Sequence, residues 1–227
     1  MSKVCIFHTV ISTVAPLQAL AAELMPDVEF MHIVEDALIK DVMKSGGPDA
    51  DVNARIAMYV MCADRAKCDI FMTACSSIGE VVENARSLTN MTVTRIDEAM
   101  AEAAVDAGTK IAALATVETT LRPTLNLIQR KAVEKNKAID VKHYLMPDAF
   151  EALLGGDTAT HNRLVRDALT DAANGSDVIV LAQASMARAL EGLDPIAVPI
   201  LTSPELSMQR LKRLVDGMRR PLAGAAR

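Results

Sequence analysis

Cys75 is the residue of this chain whose surroundings best suit catalysis. It follows the apolar run 70–74 and precedes two small polar residues, Ser76 and Ser77, so it is expected to lie where a strand turns into a helix. Because a helix N-terminus favours negative charge, we expect this thiol to ionise easily. A thiolate can remove a proton next to a carboxylate or attack an electrophile. The residues alone leave open whether Cys75 is instead a small buried side chain, as most free cysteines are.

Side chains that could hold a carboxylate follow other apolar runs. They are His8, Thr9, Ser76, Ser77, Thr116, Thr119, Thr120, Gln183 and Ser185. In each case a helix is expected to begin nearby, and its free N–H groups and positive dipole end attract an anion. Ser and Thr also cap helices at such positions, which is compatible with binding. His8 is an acid, a base, a substrate partner or a core histidine, and Asp97 is a helix cap, a structural acid or a base.

The other three thiols predict no metal site and no disulfide framework. All four cysteines lie in the first third of the chain, and Cys62 and Cys68 lack a common zinc spacing. We therefore expect free thiols in a reducing cytoplasm, with Cys5, Cys62 and Cys68 buried as small hydrophobes. The methionines Met58 and Met61 lie at helical spacing and are expected in the core.

Short apolar runs alternate with segments of helical period, which predicts an α/β fold. The expected strands are residues 4–7, 28–33, 70–73, 93–96, 111–115, 141–145, 178–181 and 198–201. The expected helices are residues 16–24, 52–67, 77–85, 98–107, 119–135, 158–174, 186–191 and 204–218. Because the strands are apolar throughout, they indicate a mostly parallel sheet covered on both faces.

An internal repeat divides this pattern in two. CDIFMTACSSIGEV (68–81) aligns with SDVIVLAQASMARA (176–189) and sets Cys75 over Gln183. VCIFHTV (4–10) aligns with IAALATV (111–117) and sets Thr9 over Thr116. We predict two pseudo-symmetric parallel-sheet lobes with the active site in the cleft between them. Lobe 1 comprises residues 1–97 and 204–227, and lobe 2 comprises residues 98–203.

Charge and hydropathy exclude several classes of partner. The net charge is −5, whereas a nucleic-acid surface needs a basic face. The first apolar run is too short to span a membrane, and no signal-peptide pattern precedes it. We expect a cytoplasmic protein that binds neither nucleic acid nor membrane and that takes a small carboxylate.

The motifs TACSSIG, RIDEAM, LATVETTLRPT and VLAQASMA occur in this order along the chain. In these motifs and their order the chain closely resembles the aspartate/glutamate/hydantoin racemase superfamily over essentially its whole length. The family includes amino-acid, hydantoin and allantoin racemases, maleate isomerase and arylmalonate decarboxylase. The resemblance implies two α/β lobes, a small carboxylate substrate, catalysis without a cofactor, and a homodimer.

The chain departs from the family at one catalytic position. Racemases of this family carry one cysteine from each lobe, on opposite faces of the substrate α-carbon. Cys75 matches the first by motif, but the second position falls on Gln183, whose amide has no useful pKa for proton transfer. A two-base racemase would then need His8, Asp97 or a water in place of the second thiol.

Three functions follow from this departure. The first is a cofactor-independent isomerase or racemase that uses Cys75 as acid/base or nucleophile. The second is a single-cysteine lyase, such as a decarboxylase. The third is a carboxylate-binding protein without activity.

Overall fold

Two four-stranded parallel sheets form the framework of the chain. The structure is a computed structural model that describes residues 1–219. The first sheet has the order β2-β1-β3-β4 and the second has the order β6-β5-β7-β8. The strands are β1 (Lys3–His8), β2 (Glu29–Val34), β3 (Ile70–Thr73), β4 (Thr92–Arg95), β5 (Lys110–Ala115), β6 (Asp140–Leu145), β7 (Val178–Leu181) and β8 (Ile200–Thr202). We call the first sheet with its packed helices lobe 1 and the second lobe 2.

Helices cover both faces of each sheet. Within residues 1–219 the α-helices are α1 (Val14–Leu24), α2 (Asp36–Ser45), α3 (Ala50–Arg65), α4 (Gly79–Asn84), α5 (Glu98–Ala107), α6 (Glu118–Glu134), α7 (Pro147–Leu154), α8 (Thr158–Ala173) and α9 (Ser203–Arg219). Short 3₁₀ segments precede α4 and follow β7, at Ser76–Ile78 and Ala184–Leu190. None of these helices is long and apolar enough to cross a membrane.

The internal repeat reappears in the structure down to single hydrogen bonds. The two sheets have the same strand order and the same parallel pairing. Asp49 caps α3 by accepting a hydrogen bond from the Val52 N–H at 3.0 Å. Asp157, 108 residues later, caps α8 by accepting one from the Thr160 N–H at 2.9 Å. The prediction of two pseudo-symmetric parallel-sheet lobes is therefore confirmed.

The central strands are buried on both faces, as their continuous apolar sequences require. Every residue of β3 and of β7 is buried. On one face of lobe 1, Phe71 packs into a cluster with Phe7 and Ile56 of α3. Full burial of each such side chain contributes about 1.5–3 kcal/mol relative to exposure, so these strands hold their ends in fixed positions.

Two helices follow a strand of one lobe and pack on the sheet of the other. Met100 and Ala104 of α5, which follows β4, join the core cluster of β5 and β7. Met208 and Leu211 of α9, which follows β8, join the cluster around Val4 of β1. This packing supports our proposal that lobe 1 comprises residues 1–97 and 204–227 and lobe 2 residues 98–203. The stretch 220–227 lies outside the described residues.

The predicted strands, and the predicted helices other than 186–191, are confirmed, with bounds that move by at most two residues. Of the predicted helix 186–191, residues 186–190 lie within the 3₁₀ segment Ala184–Leu190 rather than in an α-helix. The helices α2 and α7 were not expected. Each is short and buries few side chains, Leu38 and Val42 in α2 and Ala149 in α7, although its apolar residues recur at helical spacing.

The expectation for the exposed face of α3 is wrong. Met58 and Met61 are 56% and 44% exposed, and Cys62 is exposed as well. The helix buries the adjacent face, which includes Ile56 and Val60. Helical spacing identifies a face but not its direction, and the smaller β-branched residues face the sheet here.

Candidate active site

Cys75 lies at the carboxyl end of β3 and begins the turn into α4. Its backbone is extended (φ −131°, ψ 115°), and the 3₁₀ segment Ser76–Ile78 follows directly. Its N–H donates to Thr73 Oγ1 at 3.2 Å. The side chain is partly buried, whereas Cys5 and Cys68 are fully buried. Cys75 is therefore the thiol that combines a strand end with partial access to solvent.

Two opposing effects act on the Cys75 thiol. Burial raises its pKa above the ordinary value, and this effect is the larger. The Thr9 hydroxyl and the N–H groups of Ser77 and Ile78, close to the sulfur, act to lower the pKa. The thiol is protonated at neutral pH, so the expectation of easy ionisation is wrong. The helix α4 has only six residues and a 3₁₀ start, so the stabilisation that it offers a thiolate does not offset desolvation.

Gln183 occupies the equivalent strand end in lobe 2. It follows β7 and precedes the 3₁₀ segment Ala184–Leu190, with extended backbone (φ −126°, ψ 135°). Its Oε1 accepts hydrogen bonds from the N–H and the hydroxyl of Thr116, at 2.6 and 3.0 Å. Thr116 corresponds in the repeat to Thr9, which contacts Cys75 in lobe 1. Each lobe thus pairs a threonine after its first strand with the residue after its third.

Hydrogen bonds join the lobes close to these strand ends. Ser77, two residues after Cys75, lies 3.0 Å from Thr120 between their hydroxyl oxygens, and both residues are buried. Asn126 Nδ2 donates to Glu80 Oε1 at 3.0 Å. The predicted binding residues Ser77 and Thr120 therefore hydrogen-bond to each other across the interface between the lobes. This contact brings the region of Cys75 and the region of Thr116 together.

The N-terminus of α6 offers unused hydrogen-bonding groups beside this contact. Val117 precedes the helix and supplies no side-chain cap. The Thr119 hydroxyl oxygen is buried and has no partner among residues 1–219. Thr119 also lines a cavity of about 160 Å³ with the loop Gly46, Gly47 and Pro48 of lobe 1. Free N–H groups and a hydroxyl at the start of a 17-residue helix can bind a carboxylate.

His8 is occupied by neighbours within lobe 1. Its Nδ1 lies 2.8 Å from Thr13 Oγ1, and its Nε2 lies 2.9 Å from His32 Nδ1. Because the Thr13 hydroxyl donates to Val10 O, it accepts from His8 Nδ1, so Nε2 accepts from His32. Burial and then the charge of His32 lower the pKa of His8 to about 4. Both ring nitrogens are engaged, which leaves no free nitrogen to replace a second thiol.

Asp97 forms a buried ion pair. Its carboxylate accepts from Arg95 Nε at 2.6 Å and from Arg95 Nη2 at 2.8 Å, and neither side chain is exposed. Burial acts to lower the pKa of Arg95, but the carboxylates of Asp97 and Glu83 outweigh it and raise the pKa above its ordinary value. Asp97 makes no side-chain cap hydrogen bond to α5, so of the three interpretations left open for it, structural acid is the one that this geometry supports.

Arg95 and Gly79 support the site, and sequence reasoning missed both. Arg95 Nη2 donates to the carbonyl oxygen of Ser76 at 3.4 Å, directly after Cys75. A Cβ at Gly79 would overlap the Arg95 guanidinium, so the glycine in TACSSIG leaves room for this arginine. The signal available was a charged residue, Arg95, inside the predicted strand 93–96, where burial demands a partner.

Three further predicted binding residues are Thr9, Ser76 and Ser185. Ser76 and Thr9 are buried, and Ser185 is partly exposed in the segment after Gln183. Among the described residues there is no group of three His, Cys, Asp or Glu side chains that could hold a metal ion.

Comparison with known proteins places this geometry in context. The model of a family described as Asp/Glu/hydantoin racemase matches residues 8–211. No curated protein matches the chain in sequence.

Several solved structures share the fold at low sequence identity. Allantoin racemase from Klebsiella pneumoniae superposes with a TM-score of 0.70 and 17% identity, covering 96% of this chain and 89% of that one. Aspartate racemase from Picrophilus torridus has a TM-score of 0.72 and 13% identity, with 95% of each chain covered. A glycine-to-cysteine variant of arylmalonate decarboxylase, in a sulfate-associated form, has a TM-score of 0.60 and 18% identity, covering 99% and 98%. At these identities the likeness shows the fold alone.

Proposed function

This chain belongs to the Asp/Glu/hydantoin racemase family, and from that premise we propose that it is a cofactor-independent enzyme of the isomerase and racemase type. Its substrate is a small carboxylate, and Cys75 is its one catalytic thiol. The observation that carries this proposal is the position of Cys75 at the end of β3, partly exposed and followed directly by the turn Ser76–Ile78. The lobe contact between Ser77 and Thr120 lies two residues away.

The substrate carboxylate binds at the start of α6. The uncapped first turn and the unpaired Thr119 hydroxyl supply donors, and the helix dipole favours negative charge. Donors fixed before the reaction also stabilise the enediolate that forms when charge moves from the α-carbon into the carboxylate. The predicted binding residues Thr9, Ser76, Thr116 and Ser185 belong to the same proposed site.

As an isomerase, the enzyme uses Cys75 as a nucleophile or a base. The Cys75 thiol first gives its proton to water. The resulting thiolate adds to a carbon–carbon double bond next to a carboxylate, and the π electrons move into that carboxylate. Rotation about the new single bond and expulsion of the thiolate then return the other geometric isomer. Proton removal from an α-carbon by the same thiolate also gives an enediolate, but return of a proton to the opposite face needs water because Gln183 holds no acidic proton.

A second candidate is a single-cysteine lyase, and one observation favours it. Burial raises the pKa of Cys75, so the thiol carries a proton at neutral pH and is suited to donate it. In a decarboxylation the carbon–carboxylate bond breaks, carbon dioxide leaves, and the electron pair stays as an enediolate. Cys75 then gives its proton to the α-carbon, and water returns a proton to the thiolate.

The test is a panel of small acids in deuterated water, followed by proton NMR. The panel comprises 2-substituted malonates, 2-amino acids, hydantoins and maleate. Solvent deuterium at the α-carbon or conversion of maleate supports the isomerase, and release of carbon dioxide supports the lyase. Measurable binding without any reaction would contradict both and favour a carboxylate-binding protein.

The matched control is the thiol pair Cys75→Ala and Cys62→Ala. Cys62 is exposed on α3 and outside the proposed site, so its loss should leave turnover unchanged. We further propose a homodimer in the cytoplasm. Light scattering on the purified chain tests the dimer, and fractionation of the source cells tests the location.

A further inference from the structure

The orientation of the Gln183 amide follows from its contact with Thr116. The two ends of a glutamine amide are hard to distinguish by shape, so hydrogen-bond partners decide the assignment. Here the partner at 2.6 Å is the backbone N–H of Thr116, which can only donate. The atom that it meets must be the carbonyl oxygen Oε1. The Thr116 hydroxyl at 3.0 Å donates to the same oxygen.

This contact leaves the NH₂ group of Gln183 as the part that can serve a ligand. Within residues 1–219 Oε1 has two donors, and Nε2 donates to no other group. Gln183 is partly exposed, so its amide is not enclosed in the core of lobe 2. The side chain therefore presents two N–H donors and no acceptor beside the strand end of β7.

The repeat sets these donors against the thiol. Cys75 follows β3 as Gln183 follows β7, and each is contacted by the threonine after the first strand of its own lobe. The lobes meet at the hydrogen bond between Ser77 and Thr120, close to both strand ends. A ligand between the lobes has a proton-transfer group on the side of lobe 1 and a fixed neutral donor on the side of lobe 2.

We propose that Gln183 binds an oxygen of the substrate on the side opposite Cys75, with Thr116 as the positioning residue that aims its NH₂ group. The inference rests on the proposed function and deepens it. The substrate class is a small acid that carries two oxygen-containing groups, one on each side of the reacting carbon, and both accept hydrogen bonds. One carboxylate lies at the start of α6, and a second carboxylate or carbonyl oxygen lies at Gln183. Proton transfer by a side chain then takes place on one face of the carbon only, because Gln183 on the other face cannot transfer a proton.

Two substitutions at Gln183 test whether its side chain donates hydrogen bonds to the ligand or only fills space. Gln183→Glu keeps the shape and one oxygen for Thr116, but it replaces the NH₂ group with a negatively charged oxygen. Gln183→Met keeps the approximate length and removes the donors. A hydrogen bond to a charged acceptor is worth about a 10- to 100-fold change in affinity. We therefore expect Gln183→Met to weaken malonate binding about 10- to 100-fold and Gln183→Glu to weaken it further.

The probe is malonate, titrated by calorimetry and by ¹H–¹⁵N NMR. The side-chain NH₂ signals of Gln183 are identified by their absence in Gln183→Met, and we expect them to shift with malonate in the wild-type protein. Gln129→Glu, an exposed glutamine on α6, controls for the added charge. Thr116→Val should weaken binding, and Thr116→Ser, which keeps the hydroxyl, should restore it. Thermal unfolding of every variant checks that the fold is kept.

The outcomes distinguish this inference from the proposed function. If the NH₂ signals do not move, if wild type does not bind malonate, or if Gln183→Met binds it as wild type does, the inference is overturned. Turnover that is lost in Cys75→Ala but kept in both Gln183 variants sinks the inference and leaves the proposed function intact. Malonate binding that depends on Gln183, with no turnover of any acid, supports the inference and contradicts the proposed function.

Discussion

We expect Asp97→Asn to lower the free energy of unfolding strongly and to change the turnover of the folded protein little. The substitution removes the charge that faces Arg95 and exchanges one of two accepting oxygens for a donor. Both side chains are fully buried, so Arg95 cannot turn to water. Glu83 remains 3.3 Å from Arg95 Nη1 and retains part of the compensation.

The expected cost follows from this geometry. Breaking a buried pair by removing one partner costs about 3–5 kcal/mol, and the remaining carboxylate of Glu83 puts the expectation near the lower end. The matched control is Asp167→Asn, in an exposed pair with Arg163 at 3.2 Å whose side chains are 65% and 63% exposed. Exposed pairs contribute little, so we expect that control to lose less than about 0.5 kcal/mol.

The assay is urea unfolding at pH 7, followed by circular dichroism. With a slope of about 2–3 kcal/mol per molar, a loss of about 3 kcal/mol moves the midpoint by about 1 M. Turnover per folded molecule should stay within a few-fold of wild type. An Asp97→Asn protein with wild-type stability and no turnover would refute the structural assignment and make Asp97 a base.

Three further predictions follow from the titratable groups. If Cys75 donates a proton, kcat should be level near neutral pH and fall only above the ordinary thiol pKa, because burial raises the pKa of Cys75. A kcat that rises with pH through this range would instead identify the Cys75 thiolate as the nucleophile. Since the pKa of His8 falls from 6.5 unfolded to about 4 folded, about 3 kcal/mol of stability should be present above pH 6.5 and lost as pH falls towards 4. Urea midpoints measured across that range check this, and His8→Gln should flatten the dependence. Iodoacetamide should label exposed Cys62 before Cys75, and malonate should slow the labelling of Cys75 alone. Mass spectrometry of tryptic peptides measures the two rates separately. If malonate slowed the labelling of Cys62, the proposed position of the site would be wrong.

Much of the fold could be predicted because burial on both faces leaves a plain mark in the sequence. The strand Ile70–Thr73 is apolar nearly throughout, and so is Val178–Leu181. The helices Asp36–Ser45 and Pro147–Leu154 were missed although their apolar residues recur at helical spacing, because each is short, ten and eight residues, and buries only one or two side chains. Met58 and Met61 show the opposite error, in which apolar residues at helical spacing face solvent.

The site was predictable at its strand ends and not at its contacts between distant residues. The repeat brings Cys75 and Gln183 to equivalent positions because both halves use the same order of elements. The hydrogen bond between Ser77 and Thr120 joins residues 43 apart in different lobes, and no local pattern marks it. The pKa of Cys75 likewise depends on how deeply the folded chain buries the thiol.

The central claim is that Cys75 is the one thiol on which turnover depends. The direct test is kcat of Cys75→Ala and Cys75→Ser, with Cys62→Ala as control, on the acid that the deuterium screen identifies. General acid–base catalysis contributes about 100- to 10,000-fold, so we expect both Cys75 variants to lose at least about 100-fold while Cys62→Ala keeps the wild-type rate. Full turnover in both Cys75 variants would contradict the claim.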